Sequence, residues 1–188
     1  VAFFLQGRTA DLDYDSSNRD GTRSYIQVGT NFELQAPFRG EIAVGQVQDK
    51  KDDPTQPDTD GLSLSGLLQW FPTQLTTVSF RANRGVFDPG LLNASSATNT
   101  SFGVHIDHEL RRNIVLFGDA SYAKYEFDGT VLTPTLRAFD REDKMTDFKI
   151  GAGYKLNKHM RVDAAYSLHD QESDGVDRDL TRDDFDQN

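Results

Sequence analysis

The fold is decided by Phe148–Leu168, "FKIGAGYKLNKHMRVDAAYSL". Alternate residues fall into two kinds. Phe148, Ile150, Ala152, Tyr154 and Leu156 are apolar, whereas Lys149, Gly151, Gly153 and Lys155 are polar or tiny. After "NKH" the alternation restarts, with Met160, Val162, Ala164, Tyr166 and Leu168 set against Arg161, Asp163, Ala165, Ser167 and His169. A period of two belongs to a β-strand, because successive side chains point to opposite sides of the pleat. The stretch therefore reads as a hairpin with one greasy face and one charged face. What solvent each face meets is the question that the rest of the chain has to answer.

The same pattern recurs from end to end. It is legible at residues 1–14, 23–35, 40–48, 61–71, 75–85, 101–111 and 113–127, and again at 145–156 and 160–170. No apolar stripe of period 3.6 runs anywhere, so the expected class is all-β with about nine strands. The connections alternate in length. Residues 36–39, 72–74, 111–113 and 157–158 are short; 15–22, 49–60, 86–100, 128–144 and the tail 170–188 are long. Pro54, Pro57, Pro89 and Pro134 all fall in the long set, as expected of residues that cannot donate to a ladder.

Composition narrows the classes. The 188 residues carry a formal charge of −10, which disfavours nucleic acid as a partner because phosphate contacts need basic patches. No cysteine is present, which removes disulfides, thiolate metal sites and thiol nucleophiles together. The mean hydropathy of −0.61 and the lack of a long apolar run argue against a membrane helix. Neither bears on a membrane β-barrel, whose strands offer only every second residue to lipid. No signal peptide is visible, and the chain reads as a barrel fragment whose closing strands are missing.

One face collects Ile26, Val28, Phe32, Ile42, Val44, Leu64, Leu68, Trp70, Val78, Phe80, Phe102, Val104, Ile106, Leu116 and Tyr122. The other collects Glu33, Glu41, Arg81, His105, Asp107, Glu109, Asp119, Lys149, Arg161 and Asp163. A soluble sandwich would need a second sheet to cover so long an apolar face. Sorting of connections by length on alternate ends is instead the habit of outer-membrane barrels, with short periplasmic turns and long external loops. The aromatics Phe32, Trp70, Phe102, Tyr122, Phe148, Tyr154 and Tyr166 lie on the apolar face in positions suited to interfacial girdles. Gly29, Gly45, Gly103, Gly151 and Gly153 sit among the charges, where side chains of a barrel wall crowd a lumen. The expected architecture is an antiparallel up-and-down transmembrane β-barrel forming a single domain over 1–188, with 171–188 as an acidic outer loop or disordered tail.

Three stretches carry a family resemblance: "RGEIAVGQVQDKKDDP", "LLQWFPTQLTTVSFRANR" and "FGVHIDHELRRNIVLFGDASYAKYEFDG". They resemble the outer-membrane beta-barrel porin 2 group, a proteobacterial family often linked to exopolysaccharide loci. The marks are the strand start Arg39–Glu41, the turn Trp70–Thr77 with Phe71 at the variable place, and Asp107–Asn113. The resemblance spans most of residues 23–170. It implies a barrel in the bacterial outer membrane, with a link to polysaccharide.

The polar face holds the candidate chemistry. His105, Asp107 and Glu109 share it, and such i, i+2 spacing on a strand suits a metal site. An internal ladder of Asp107, Glu109 and Arg81 accounts for the same residues with less, so no metal is expected. Ser167, His169 and Asp170 stand at a strand end where a barrel hydrolase could place its catalytic groups, but they lack a nucleophile motif, and no enzyme is expected. "DQESDG" at 170–175 echoes a calcium loop, whose twelfth position would be Thr181 rather than a bidentate Glu. The Asp-rich connections (Asp49, Asp52, Asp53, Asp58 and Asp60, then Asp170, Glu172, Asp174, Asp177 and Asp179) read as solvated loops, with divalent cations bridging them to lipopolysaccharide as a weaker reading. The leading functional expectation is a pore or export channel for polar solutes, polysaccharide among them, with no cofactor. A non-conducting scaffold or surface receptor is the alternative.

Overall fold

The computed structural model describes residues 1–13, 20–34, 37–54, 58–87, 89, 94–129, 141–175 and 185–187. Its strands are β1 (Ala2–Leu12), β2 (Gly21–Glu33), β3 (Phe38–Lys51), β4 (Thr59–Thr73) and β5 (Thr76–Phe87). They continue with β6 (Ala94–Arg111), β7 (Ile114–Gly129), β8 (Arg141–Lys155), β9 (Arg161–Gly175) and β10 (Phe185–Gln187). All ten form one sheet in sequence order, and each pairs antiparallel with its neighbour in the chain. The all-β up-and-down expectation holds. Among the described residues no helix is long and apolar enough to cross a membrane, which is silent about strands.

The 148–168 hairpin folds as its alternation dictates. Phe148 pairs with Leu168, Ile150 with Tyr166 and Lys155 with Arg161. The turn is closed by the Leu156 amide donating to Met160 O (3.0 Å) and the His159 amide donating to Asn157 Oδ1 (2.8 Å). The Thr73–Thr76 turn is tied the same way: Thr73 Oγ1 accepts the Leu75 amide at 3.2 Å and meets Thr76 Oγ1 at 2.8 Å. Side-chain oxygens thus hold the backbone groups that a tight turn leaves unpaired.

The long connections are shorter than the sequence suggests, because the strands run on into them. β6 begins at Ala94, β7 reaches Gly129, β8 begins at Arg141 and β9 continues to Gly175. Apolar residues cease there while the ladder does not, so a hydrophobic period marks the strand ends too early. Two further corrections follow from the same cause. Asp49 is not a loop residue but a buried member of β3, and "DQESDG" is extended strand paired with Arg141–Thr146. A straight strand cannot wrap its carboxylates around one ion. Of the expected tail at 171–188, residues 171–175 belong to β9 and Phe185–Gln187 form the short β10, which pairs with Gln171–Ser173; the rest lies outside the described residues. Thr181 and Pro134 lie outside the described residues.

The polar face is the concave one. Ala43, Val47, Asp49, Ser63, Ser79 and Asp143 are all buried on it, whereas large apolar residues on the opposite face stay open, Phe3 at 82% and Ile150 at 68%. Side chains two strands apart also meet there: Gln27 Nε2 donates to Ser63 Oγ at 2.6 Å, across β3. Gly45 lies opposite both, and a Cβ on it would meet the Gln27 side chain and the Ile26 carbonyl. Among the described residues β1 pairs only with β2, and beyond β8 the only partner of β9 is β10.

Candidate functional site

The outer face is a belt. Along one row of paired residues run Phe38, Trp70, Val78, Ile106, Gly118, Ile150 and Tyr166; the next holds Leu68, Phe80, Val104, Ala120, Phe148 and Leu168. From Ile114 to Tyr122 on β7 the apolar stretch is about 20 Å tall at barrel-like tilt, close to the roughly 25 Å apolar band of outer-membrane barrels. Phe38 and Trp70 stack at 6.2 Å near the short turns. Phe32, Phe102, Tyr122, Phe148 and Tyr154 also stand on this face. Tyr166 sits one step inside the belt, since Leu168 follows on the same face before Asp170.

Beyond the belt, on the same outward face, charge replaces hydrocarbon. Lys124 pairs with Lys144, which pairs with Glu172, and one step further Glu126, Glu142 and Asp174 line up. Lys124 Nζ lies 3.0 Å from Glu126 and 2.8 Å from Glu142, and Lys144 Nζ lies 2.9 Å from Glu142. The sequence reading missed this network. Its signal was present, as charges spaced two apart at 124/126, 142/144 and 172/174.

All ten polar-face residues singled out from the sequence (Glu33, Glu41, Arg81, His105, Asp107, Glu109, Asp119, Lys149, Arg161 and Asp163) fall on the concave face by register. What they touch differs from expectation. His105 joins two of the carboxylates, its Nδ1 2.5 Å from Asp119 and its Nε2 2.7 Å from Asp107. An imidazolium, with a donor on each nitrogen, satisfies both. Arg81 takes no part. It pairs with Gly103, while Asp107 lies opposite Thr77, four residues away or about 13 Å along the strand. The ladder of Arg81, Asp107 and Glu109 is therefore not formed.

Elsewhere on this face Arg161 holds Asp163 at 2.6 Å, and His169 Nδ1 meets Asp147 at 2.6 Å. Asp147, not Asp170, is thus the partner of His169; Asp170 pairs with Thr146 on the outward side. His108 also points outward, where its Nδ1 meets Thr76 Oγ1 at 2.9 Å. Among the described residues Glu33, Glu41, Glu109 and Arg81 have no ion-pair partner.

One curved antiparallel meander, apolar outside and charged inside, defines a protein of the transmembrane β-barrel class. The family model for putative beta-barrel porin 2 matches residues 2–186, and the chain belongs to that family. No curated protein and no solved structure matches the chain.

Proposed function

We propose that this protein forms a water-filled pore for polar solutes in the bacterial outer membrane. The observation that carries the reading is that inward charges, Glu33, Glu41, Arg81 and Glu109 among them, have no ion-pair partner among the described residues. In a dry interior each would cost several kcal/mol; water in the lumen removes that cost. Polysaccharide export is the finer form of the reading, supported by the family resemblance alone. In the same picture the outward network of Lys124, Lys144, Glu126 and Glu142 lies level with lipopolysaccharide phosphates, where divalent cations bridge carboxylate and phosphate. The reading contains no catalytic step and no cofactor.

A second reading, a non-conducting scaffold or receptor, has its own support. Arg161 is paired with Asp163, and His105 and His169 are held by hydrogen bonds to Asp107 and Asp119 and to Asp147, so these inward groups have protein partners of their own. Single-channel conductance of the folded protein in a planar bilayer separates the two. Ohmic conductance with a reversal potential in a salt gradient supports the pore. A folded, inserted protein that never conducts moves the function to the scaffold.

A further inference from the structure

We infer that the cavity on the concave side of β1 and β2 is a binding subsite for a carboxylate-bearing sugar unit of the uronic-acid class. The inference rests on the reading above, in which the concave face meets water. The cavity measures about 360 Å³ and is lined by Gln6, Arg8, Arg23, Tyr25, Gln27 and Ser63, among others. That volume falls within the roughly 300–1,000 Å³ of small-molecule sites.

Its chemistry is specific. Arg23 is already engaged, donating to Asp49 from Nε at 3.2 Å and from Nη2 at 2.5 Å. Arg8 is exposed and has neither hydrogen bond nor ion pair among the described residues. Its guanidinium is a planar fork whose geometry matches one carboxylate. Tyr25 is its paired neighbour on β2, so an aromatic ring stands beside the free cation. Gln6 pairs with Gln27, and the Gln27 amide is aimed by its bond to Ser63 Oγ. That bond uses the amide nitrogen as donor and leaves the Gln27 carbonyl oxygen as an acceptor.

One free fork, two amides, a hydroxyl and an aromatic face answer the groups of an acidic sugar: a carboxylate, adjacent hydroxyls and an apolar ring face. A neutral sugar would leave Arg8 unused. A phosphoester, with its greater charge, would ask for a second cation, and Arg23 is committed to Asp49. A metal ion finds no carboxylate in the lining.

The test is isothermal titration of the full chain, folded in detergent, with trigalacturonate, maltotriose and acetate as probes. Trigalacturonate is expected to bind at least tenfold more tightly than maltotriose, and acetate more weakly than either. Arg8→Gln is expected to weaken trigalacturonate about ten- to a hundredfold, the worth of one charge-assisted forked contact. Tyr25→Leu is expected to weaken both sugars. Arg8→Lys, which keeps the charge and loses the fork, should fall between wild type and Arg8→Gln, and circular dichroism verifies that each variant is folded. Equal affinity for maltotriose and trigalacturonate, or an Arg8→Gln protein that binds as wild type does, overturns the subsite. Conductance of the same sample keeps the two readings apart. A conducting protein that ignores trigalacturonate removes the subsite and leaves the pore, whereas a binding protein that does not conduct keeps the subsite and removes the pore.

Discussion

The concave face has two walls that solve the same problem differently. On β1–β5 the inward charges are Arg8, Arg23, Arg39, Lys51 and Arg81 against Glu33, Glu41 and Asp49. On β6–β9 they include Asp107, Glu109, Asp119, Asp143, Asp147 and Asp163 against Arg141, Lys149, Lys155 and Arg161, with His105 between Asp107 and Asp119 and His169 against Asp147. The first wall leans positive and buries one charged cluster, since Asp49 is fully covered and held by Arg23 and Lys51. The second wall leans negative and keeps its Arg161–Asp163 pair wet, each side chain 46% exposed, although Asp143 beside Arg141 is covered. Burial, more than the count of ion pairs, decides what each contact is worth.

The largest expected effect breaks the comparison where it is sharpest. Asp49→Ala removes the fully covered anion that Arg23 and Lys51 hold, and should cost about 3–5 kcal/mol. Asp163→Ala on the opposite wall should cost about 0–1 kcal/mol. Equilibrium unfolding in lipid or detergent measures both; similar losses would mean that the walls do not differ in wetness.

A second pair of substitutions asks whether the two walls share one lipid-facing back. Val44→Arg behind the first wall and Ile150→Arg behind the second should each cost about 2–4 kcal/mol in a bilayer, while Lys149→Gln on the inner face should cost little. If Ile150→Arg is tolerated and Val44→Arg is not, the β6–β9 belt faces something other than acyl chains.

The walls should also push ion selectivity in opposite directions. Asp107→Asn with Glu109→Gln is expected to lower the cation-to-anion permeability ratio by roughly two- to tenfold, and Arg81→Gln to raise it. Reversal potentials in a salt gradient read the sign. Two shifts of the same sign would show that the lumen averages its walls.

The smallest effect leaves stability untouched and fixes the ends. Single cysteines at Asp53, between β3 and β4, and at Asn157, in the β8–β9 turn, are expected to label differently with an impermeant maleimide on intact cells. Strong labelling at 53 with weak labelling at 157 puts the long connections outside. Equal labelling at the two sites removes the assignment of sides.

The sequence by itself determined the class, the strand order and the face of nearly every side chain. Strict period-two alternation through segments such as Phe148–Leu156 leaves no other element to form, and short turns such as "NKH" force chain neighbours to pair. For the same reason parity alone assigns Arg81, His105, Asp107 and Asp119 to one face. Which of them touch was decided by the tertiary structure. Register set Arg81 against Gly103 and brought His105 between Asp107 and Asp119, a matter of residues slid along a strand rather than of parity. Burial was settled there too. Asp49 reads as one more loop aspartate, and only the extension of β3, which sets it opposite Arg23 on β2 and two residues from Lys51 on its own strand, makes it a covered charge with those partners. Alternation is a local property of the chain, whereas register and curvature belong to the whole sheet.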